Sequence, residues 1–346
     1  MIHANSSPTS VPGESAGSQV GDFSFHSPRK TPRPPKPFTS VSQQIALLKA
    51  RGLTVQDEAE AHNVLRLIGY FRFSGYAHSL KAIRRSVPSF DSGYRANASF
   101  KQIVHLGDFD RSLRALMLDG LETIEIAVRA AVVRRLGPLD VEAHRRPDLF
   151  DRRFTNRLPG ESCSLHDEWL RRFDDLVSKS KEEFVEHHRR RYAGRLPIWA
   201  AMEVLEFGLL SKLIRGLQFR DAKALSEGFG LDHPVVLQSW MHMFNIARNR
   251  AAHHVRVWNR TTTKIPLLPP GSVCPDLAFL HRDEHAKTRL FGTLSCMRWM
   301  IRTIAPDCHW HREIRRLAAT FPQASGLSLR AAGFPDDWSS LPLWRD

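Results

Sequence analysis

The sequence predicts an all-α protein, and three observations carry that prediction. Apolar residues recur at steps of three and four over residues 108–136, which is the period of one helix face. Helix boundaries carry residues that favour them, such as Pro197 before an apolar run and Gly137 after another. No alternating apolar and polar run flanked by hairpin turns stands out, so the sequence indicates no sheet.

The first part of the chain is predicted as a tail followed by helices. Residues 1–36 are rich in Ser, Pro and Gly and end in SPRKTPRPPKP, so we expect a disordered basic tail. Residues 43–52 are predicted as a helix closed by Gly52, and residues 57–83 as a second, longer helix. The strongest apolar stripe, within 108–136, comprises Leu113, Leu116, Met117, Leu121, Ile124, Val128 and Ala131.

Beyond Gly137 we expect loops and further helices. Residues 144–160 are predicted as a basic loop, and helices are predicted over 165–192, 197–217, 233–254, 275–304 and 309–320. Residues 37–322 are therefore predicted to form one all-helical domain, followed by an irregular C-terminal tail over 323–346. Four widely separated cysteines without a C-x-x-C pair indicate neither a disulfide framework nor a zinc ribbon.

The chain is strongly basic. Fifty Lys and Arg against 36 Asp and Glu give a formal charge of +14 and a pI near 10.1. Such a balance favours polyanionic partners through counterion release and steering, and RNA is the partner we expect. Glu125 and Arg129 interrupt the most apolar stretch, and the first residues lack the pattern of a secretion signal. We therefore expect a cytoplasmic protein without a membrane span.

The most informative segment is RNRAAHHVRVWNR, residues 248–260. Its guanidinium groups offer rigid donor forks that match phosphate oxygens, and its imidazoles can take and give a proton near neutral pH. We predict Arg248, Asn249 and His253 as catalytic residues of RNA cleavage that needs no metal and no cofactor, with His254 as a further candidate. The predicted RNA-binding residues are Arg250, Arg256, Arg260, Arg189, Arg190 and Arg191.

Helix geometry constrains this predicted site. Asn249 and His253 are four residues apart and share a helix face, so Asn249 could orient the His253 imidazole. Arg248 and His253 are five apart, roughly 140° around the axis, and do not stack directly. Either the long arginine side chain reaches around the helix or a second copy of the chain supplies the missing half across a two-fold axis.

The predicted reaction is attack of a ribose 2′-hydroxyl on the adjacent phosphate. His253 would move the proton and Arg248 would stabilise the charge that develops at phosphorus. Such a reaction would spare DNA and leave a cyclic phosphate end. On the long predicted helix, Glu125 and Arg129 are spaced i, i+4 and can form an ion pair, which we expect to be partly buried because its surroundings are apolar.

Two other interpretations stay open. His281, Glu284 and His285 have the H-x-x-E-H spacing of inverted zinc proteases, although Glu313 is the one glutamate that remains downstream to serve as the third metal ligand. A non-catalytic RNA-binding protein is the stronger rival, because two segments could track a phosphate backbone. They contain His187, His188, Arg189, Arg190, Arg191 and Arg195, and Arg145, Arg146, Arg152 and Arg153.

Five successive blocks resemble those of the Abi (AbiD/AbiF-like) abortive-infection proteins. They are KPFTSVSQQIALLKARGL, LRLIGYFRFSGY, LETIEIAVRAAV, PIWAAMEVLEFGLLSKL and RNRAAHHVRVWNR, and the similarity covers residues 36 to about 305. That family belongs to the wider HEPN group of helical proteins, in which an Arg-polar-x-x-x-His motif cuts RNA. The resemblance implies a HEPN-type bundle with its core at about 100–305, preceded by a helical extension.

The resemblance also implies a function, an anti-phage RNase toxin that halts growth by cleaving cellular or phage RNA as a homodimer. It places Arg248, Asn249 and His253 at the catalytic positions and Glu125 and Arg129 in a supporting role. Some relatives are thought to associate with a small structured non-coding RNA, so RNA is implied as a regulator as well as a substrate. The Ser/Pro-rich leader has no counterpart in the family pattern.

Overall fold

Helices dominate the structure, a computed structural model that describes residues 37–84, 87–88 and 93–345. This part of the chain contains fifteen α-helices and one pair of two-residue strands. The all-α prediction is confirmed, and the one addition is an antiparallel ladder between β1 (Ile83–Arg84) and β2 (Val87–Pro88). The predicted disordered tail, residues 1–36, lies outside the described residues.

The first three helices are α1 (Val41–Ala50), α2 (Glu58–Ile68) and α3 (Tyr70–Ala77). The prediction of a single helix over residues 57–83 is wrong, because the chain breaks at Gly69. Gly69 has φ +77° and ψ 147°, a conformation that favours glycine, and its N–H closes α2 by donating to the Leu65 carbonyl at 3.0 Å. Apolar residues continue on both sides of this break, which is why the sequence pattern concealed it.

The 37-residue helix α4 (Phe100–Leu136) is the centre of the fold. It begins at a capping box, in which the side chains of Ser99 and Gln102 accept each other's backbone N–H, and it extends about 55 Å. Gly120 lets another helix approach closely, since a Cβ there would lie 2.8 Å from Trp310 Nε1. That indole N–H donates to the Leu116 carbonyl at 2.7 Å and locks the contact.

The remaining helices follow α4 in the chain, and several of them pack against it. They are α5 (Arg152–Thr155), α6 (Leu165–Lys179), α7 (Glu183–Arg191), α8 (Ile198–Val204), α9 (Phe207–Gly216), α10 (Phe219–Glu227), α11 (Pro234–Ala252), α12 (Phe279–Arg282), α13 (Glu284–Lys287), α14 (Leu290–Ile304) and α15 (Trp310–Ala319). The helices α3, α8, α9, α10, α11, α14 and α15 contact α4 directly, and the described residues from Val41 onward form one compact unit.

The C-terminal residues are irregular in their backbone and still belong to the core. Short 3-10 turns occur between residues 329 and 344, and Leu343 and Trp344 are fully buried. Phe291 of α14 stacks on Trp344 with ring centroids 5.4 Å apart. The segment predicted as an irregular tail, 323–346, thus contributes aromatic rings to the packing of α14.

Candidate active site at the end of helix α11

Helix α11 positions the predicted motif. Pro234 occupies its first turn, and its apolar stripe is buried as the sequence predicts, with Trp240 and Phe244 fully inaccessible. The helix packs against α4 and α9. The motif therefore begins in the last turns of a helix that the core holds in place.

The helix ends at the paired histidines in a Schellman motif. The His254 N–H donates to the Ala251 carbonyl at 3.1 Å, and the Val255 N–H donates to the Arg250 carbonyl at 2.9 Å. His254 consequently has a left-handed φ of +58°, at a position that usually favours glycine. Both His253 and His254 are exposed. A strained, exposed histidine at such a position is an outlier of the kind that clusters at functional sites.

Arg248 and Asn249 lie one turn earlier and are partly buried. Arg248 Nη1 donates to Asn249 Oδ1 at 3.3 Å, and Asn249 Nδ2 donates to Asn245 Oδ1 at 3.5 Å. The predicted hydrogen bond from the Asn249 amide to the His253 imidazole is absent among the described contacts. These two residues are joined instead by the backbone bond from the His253 N–H to the Asn249 carbonyl, at 2.9 Å.

The side chains of Arg248 and His253 do not meet through a hydrogen bond within the described part of one chain. Both residues lie at the same end of α11, where the Arg248 guanidinium is hydrogen-bonded to Asn249 and the His253 side chain is exposed to solvent. One chain therefore gathers the predicted catalytic residues without bringing the arginine and the histidine together.

A buried carboxylate that the sequence reasoning missed holds the segment after the motif. Asp110 Oδ1 accepts the backbone N–H of Val257 at 3.1 Å and of Trp258 at 2.7 Å. Its Oδ2 accepts the Tyr76 hydroxyl at 2.7 Å and pairs with Arg114. Burial raises the pKa of Tyr76, and the Asp110 charge raises it further, so the phenol stays a donor. Asp110 thereby fixes where the chain goes after α11.

The sequence carried a signal for this anchor. Asp110 and Arg114 have the same i, i+4 spacing on α4 as Glu125 and Arg129, and they too are surrounded by apolar residues. The first pair is almost completely buried, whereas the second is 15% and 17% exposed. An acidic and a basic residue one turn apart inside an apolar stripe therefore predict a buried or partly buried ion pair, and this prediction applies to Asp110 and Arg114 as well as to Glu125 and Arg129.

The Glu125–Arg129 pair is partly buried, as predicted, and it contacts the link between α8 and α9. Arg129 Nη2 also donates to the Leu205 carbonyl at 2.7 Å, in the link between α8 and α9. Gly208 of α9 faces Asn245 of α11, because a Cβ at Gly208 would lie 3.5 Å from Asn245 Oδ1. The ion pair thus fixes the link between α8 and α9, and α9 packs against α11, the helix that carries the motif.

Two of the predicted RNA-binding arginines are engaged inside the fold. Arg256 Nη1 donates to the Gly75 carbonyl, and burial, together with the Arg260 charge, lowers the pKa of Arg256. Arg189 pairs with Glu186 and donates to carbonyl groups at the C-terminal end of α6, those of Val177, Ser178 and Ser180. These guanidinium groups tie elements of the fold together.

Of the other predicted RNA-binding arginines, Arg190, Arg191 and Arg260 are exposed, whereas Arg250 is partly buried and its Nη1 donates to the Thr261 carbonyl at 3.5 Å. Arg250 and Arg260 line a shallow pocket beside α11 together with Lys264. Arg190 and Arg191 are exposed on the last turn of α7 and form no ion pair with a described residue. Positive charge is therefore available next to the motif and, separately, at the end of α7.

A comparison with known protein families matches the Abi-like protein family over residues 63–259. That span is more than half of the chain and contains α4, α11 and the paired histidines. The chain belongs to the Abi-like family. Membership suggests a role in abortive-infection defence. No curated protein and no solved structure matches this Abi-like protein. Over the described residues, none of its helices combines the length and apolar character needed to cross a bilayer.

The zinc-protease interpretation does not fit this Abi-like protein. Asp283 separates α12 from α13, so His281 and His285 do not lie on one continuous helix. The Nε2 atoms of His281 and His285 lie 3.0 Å and 2.7 Å from the carbonyl oxygens of Pro269 and Arg330. Within the described ranges, no three His, Cys, Asp or Glu side chains are grouped so that they could hold a metal ion.

Proposed function

We propose that this Abi-like protein is a metal-independent endoribonuclease of the HEPN type in abortive infection, with Arg248, Asn249 and His253 as its catalytic group. The observation that carries the proposal is the end of α11, where two exposed imidazoles follow a partly buried guanidinium. RNA cleavage without a metal requires hydrogen-bond donors that are held beside the phosphate and, next to them, side chains that take and give protons. The family match supports the biological setting.

The reaction is a transesterification in the RNA backbone. His253 takes the proton of a ribose 2′-hydroxyl, whose oxygen bonds to the adjacent phosphorus while the bond to the 5′-oxygen breaks. A second imidazole, that of His254, protonates the leaving oxygen. The products are a 2′,3′-cyclic phosphate and a 5′-hydroxyl. Arg248 stabilises the charge on the phosphate oxygens as the new bond forms.

A symmetric dimer would complete the site. Arg248 and His253 are separated by roughly 140° around the axis of α11, so the guanidinium of one copy would meet the imidazole of the other across a two-fold axis. Mixing two inactive proteins tests this directly. A heterodimer of Arg248→Ala and His253→Ala chains would contain one intact site and is expected to regain cleavage. A mixture that stays inactive although the chains exchange would reject the shared site.

Cleavage of end-labelled single-stranded RNA in EDTA tests the activity. The wild-type protein is expected to leave cyclic phosphate ends, and Arg248→Ala and His253→Ala are expected to cut at least ~100-fold more slowly. His62→Ala and Arg66→Ala are matched controls, because both residues are exposed on α2. The controls should cut like wild type. Cutting that requires zinc, or that persists in His253→Ala, would reject the proposal.

A non-catalytic RNA-binding protein, regulated by a small non-coding RNA, is the second candidate. The exposed Arg190 and Arg191 favour it, since they offer charge to a phosphate backbone without any adjacent acidic partner among the described residues. Tight binding of RNA without any cleavage in the same assay would support this function in place of the first.

A further inference from the structure

We propose that the cleft between the end of α7 and the start of α8 binds an unpaired RNA nucleotide by stacking its base on aromatic side chains. This ring cleft has a volume of about 640 Å³. It is lined by Val141, Glu142, His187, His188, Tyr192, Arg195, Pro197 and Trp199. The inference rests on the proposed function in one respect, that RNA is the ligand.

The fold fixes the rings on both sides of the ring cleft. The Nδ1 atom of His188 lies 2.7 Å from the Phe184 carbonyl oxygen, one turn earlier on α7. Trp199 lies in the first turn of α8 between buried neighbours, and the Ile198 N–H donates to the Val141 carbonyl at 2.7 Å. The backbone on both sides is therefore held, which limits the entropy lost when a ligand is bound.

The rings are exposed in a way that the core does not explain. Tyr192 is 57% exposed and Trp199 is 52% exposed, although both line the same cleft. The Tyr192 ring lies 5.3 Å from that of His188 and 5.8 Å from that of His187, measured between centroids. Several exposed rings lining one cleft form the kind of platform on which unstacked bases bind.

The charge around the ring cleft suits a phosphate backbone. Glu142 is the one carboxylate among the described residues that line it, and Arg195 pairs with its Oε2. Arg190 and Arg191 lie between His188 and Tyr192 in the sequence, are exposed, and have no acidic partner in the described part of the chain. Charge and open rings together favour single-stranded or looped RNA, because a duplex keeps its bases inside the helix.

A proline-rich peptide is the competing occupant, since such peptides dock on aromatic grooves. The chain contains one, SPRKTPRPPKP, at residues 27–37. Its four basic residues, Arg29, Lys30, Arg33 and Lys36, would meet the positive charge of Arg190 and Arg191. Like charges disfavour this pairing, so we assign the ring cleft to RNA.

Fluorescence anisotropy with a short labelled 2′-O-methyl RNA single strand tests the assignment. The methyl group blocks the 2′-oxygen, so binding is measured without cleavage. Trp199→Leu and Tyr192→Leu should each weaken binding roughly 5- to 150-fold, the range expected for one stacked base. Phe71→Leu is the matched control, because Phe71 is 92% exposed and lies outside the cleft. A duplex of the same sequence should bind equally well to Trp199→Leu and wild type.

A salt titration separates charge from stacking. Arg190→Ala should lower the slope of log affinity against log salt by about 0.7, whereas Trp199→Leu should leave this slope unchanged. Unaltered affinity in both ring variants, or an equal loss in Phe71→Leu, would overturn the assignment. Displacement of the RNA by a peptide of residues 27–37, lost in Trp199→Leu, would overturn it in favour of the proline-rich segment.

The two proposals can fail separately. If unmodified RNA is not cut but Trp199→Leu weakens binding, the ring cleft stands and the nuclease fails. If wild type cuts RNA and neither binding nor cutting responds to the ring variants, the nuclease stands and the ring cleft fails.

Discussion

The body of helix α11 and the residues that end it differ in what surrounds them. In the body, Trp240 and Phe244 are fully buried, with the Trp240 indole donating to the Leu267 carbonyl at 2.7 Å. At the other end, His253 and His254 are exposed, and their imidazoles form no hydrogen bond with a described residue. The helix thus belongs to the core along most of its length and presents two exposed imidazoles where it ends.

Loss of a buried tryptophan in the body of α11 should destabilise the protein most. Trp240→Ala should lower the free energy of unfolding by about 3–5 kcal/mol, because it leaves a cavity and an unpaired Leu267 carbonyl. Urea unfolding followed by circular dichroism measures the change. Trp199→Ala is the matched control at a half-exposed position and should unfold like wild type. Similar losses in the two variants would remove the distinction between buried and exposed tryptophans.

The second prediction concerns Asp110, the buried carboxylate that holds the backbone after the end of α11. Asp110→Ala should lower the free energy of unfolding by about 3–5 kcal/mol, because Arg114 is left buried without its partner. The backbone amides of Val257 and Trp258 should exchange with solvent deuterium faster in this variant. Asp108→Ala, at an exposed position on the same helix, should change neither property. Unchanged exchange at Val257 and Trp258 would show that Asp110 does not hold the segment.

A buried histidine allows a comparison with the exposed pair. His144 is fully buried, with its ring centroid 5.0 Å from that of Phe173, and neither ring nitrogen has a hydrogen-bond partner among the described residues. Burial, and next the Arg145 charge, lowers the pKa of His144 to about 4. Because this pKa lies below that of the unfolded chain, the unfolded state binds the proton first as pH falls.

The contribution of His144 to stability is therefore complete above about pH 6.5 and is lost between that pH and about pH 4. The loss is on the order of 3 kcal/mol. His144→Phe should flatten the decline of unfolding free energy over this window, whereas His62→Phe, at an exposed position, should not. Parallel pH curves for wild type and His144→Phe would contradict the assignment.

A smaller effect is expected at the left-handed residue. His254→Gly should raise the free energy of unfolding by about 1 kcal/mol, because glycine adopts φ +58° without the cost that a side chain brings. His253→Gly is the matched control, since His253 has φ −85° and gains no such relief. Thermal unfolding distinguishes them. Destabilisation of both variants would mean that His254 is not strained.

Periodicity predicted the parts of the fold that bury one helix face. The stripes of α4 and α11 are recognisable because each repeats over several turns. The break at Gly69 was not predicted, since apolar residues continue through it and only the backbone conformation marks the boundary. The packing of Trp344 against Phe291 could not be predicted either. Trp344 does not belong to a periodic apolar pattern, so the sequence does not reveal which distant ring it contacts.

For the candidate site, the sequence predicted residue types better than contacts. It placed Asn249 and His253 one turn apart, and the structure bears out that spacing. It did not reveal that the Asn249 amide contacts Arg248, nor that Asp110 holds Val257, because these contacts depend on which groups folding brings together. The same reason explains why Arg256 was predicted for RNA but donates to Gly75 of a distant helix.

The claim that the exposed end of α11 cuts RNA is tested most directly by two measurements on one preparation of His253→Ala. We predict a urea unfolding midpoint equal to that of wild type and RNA cleavage in EDTA at least ~100-fold slower. Cleavage at the wild-type rate by a folded His253→Ala protein would contradict the claim. So would a loss of cleavage that merely matches the fraction of unfolded protein.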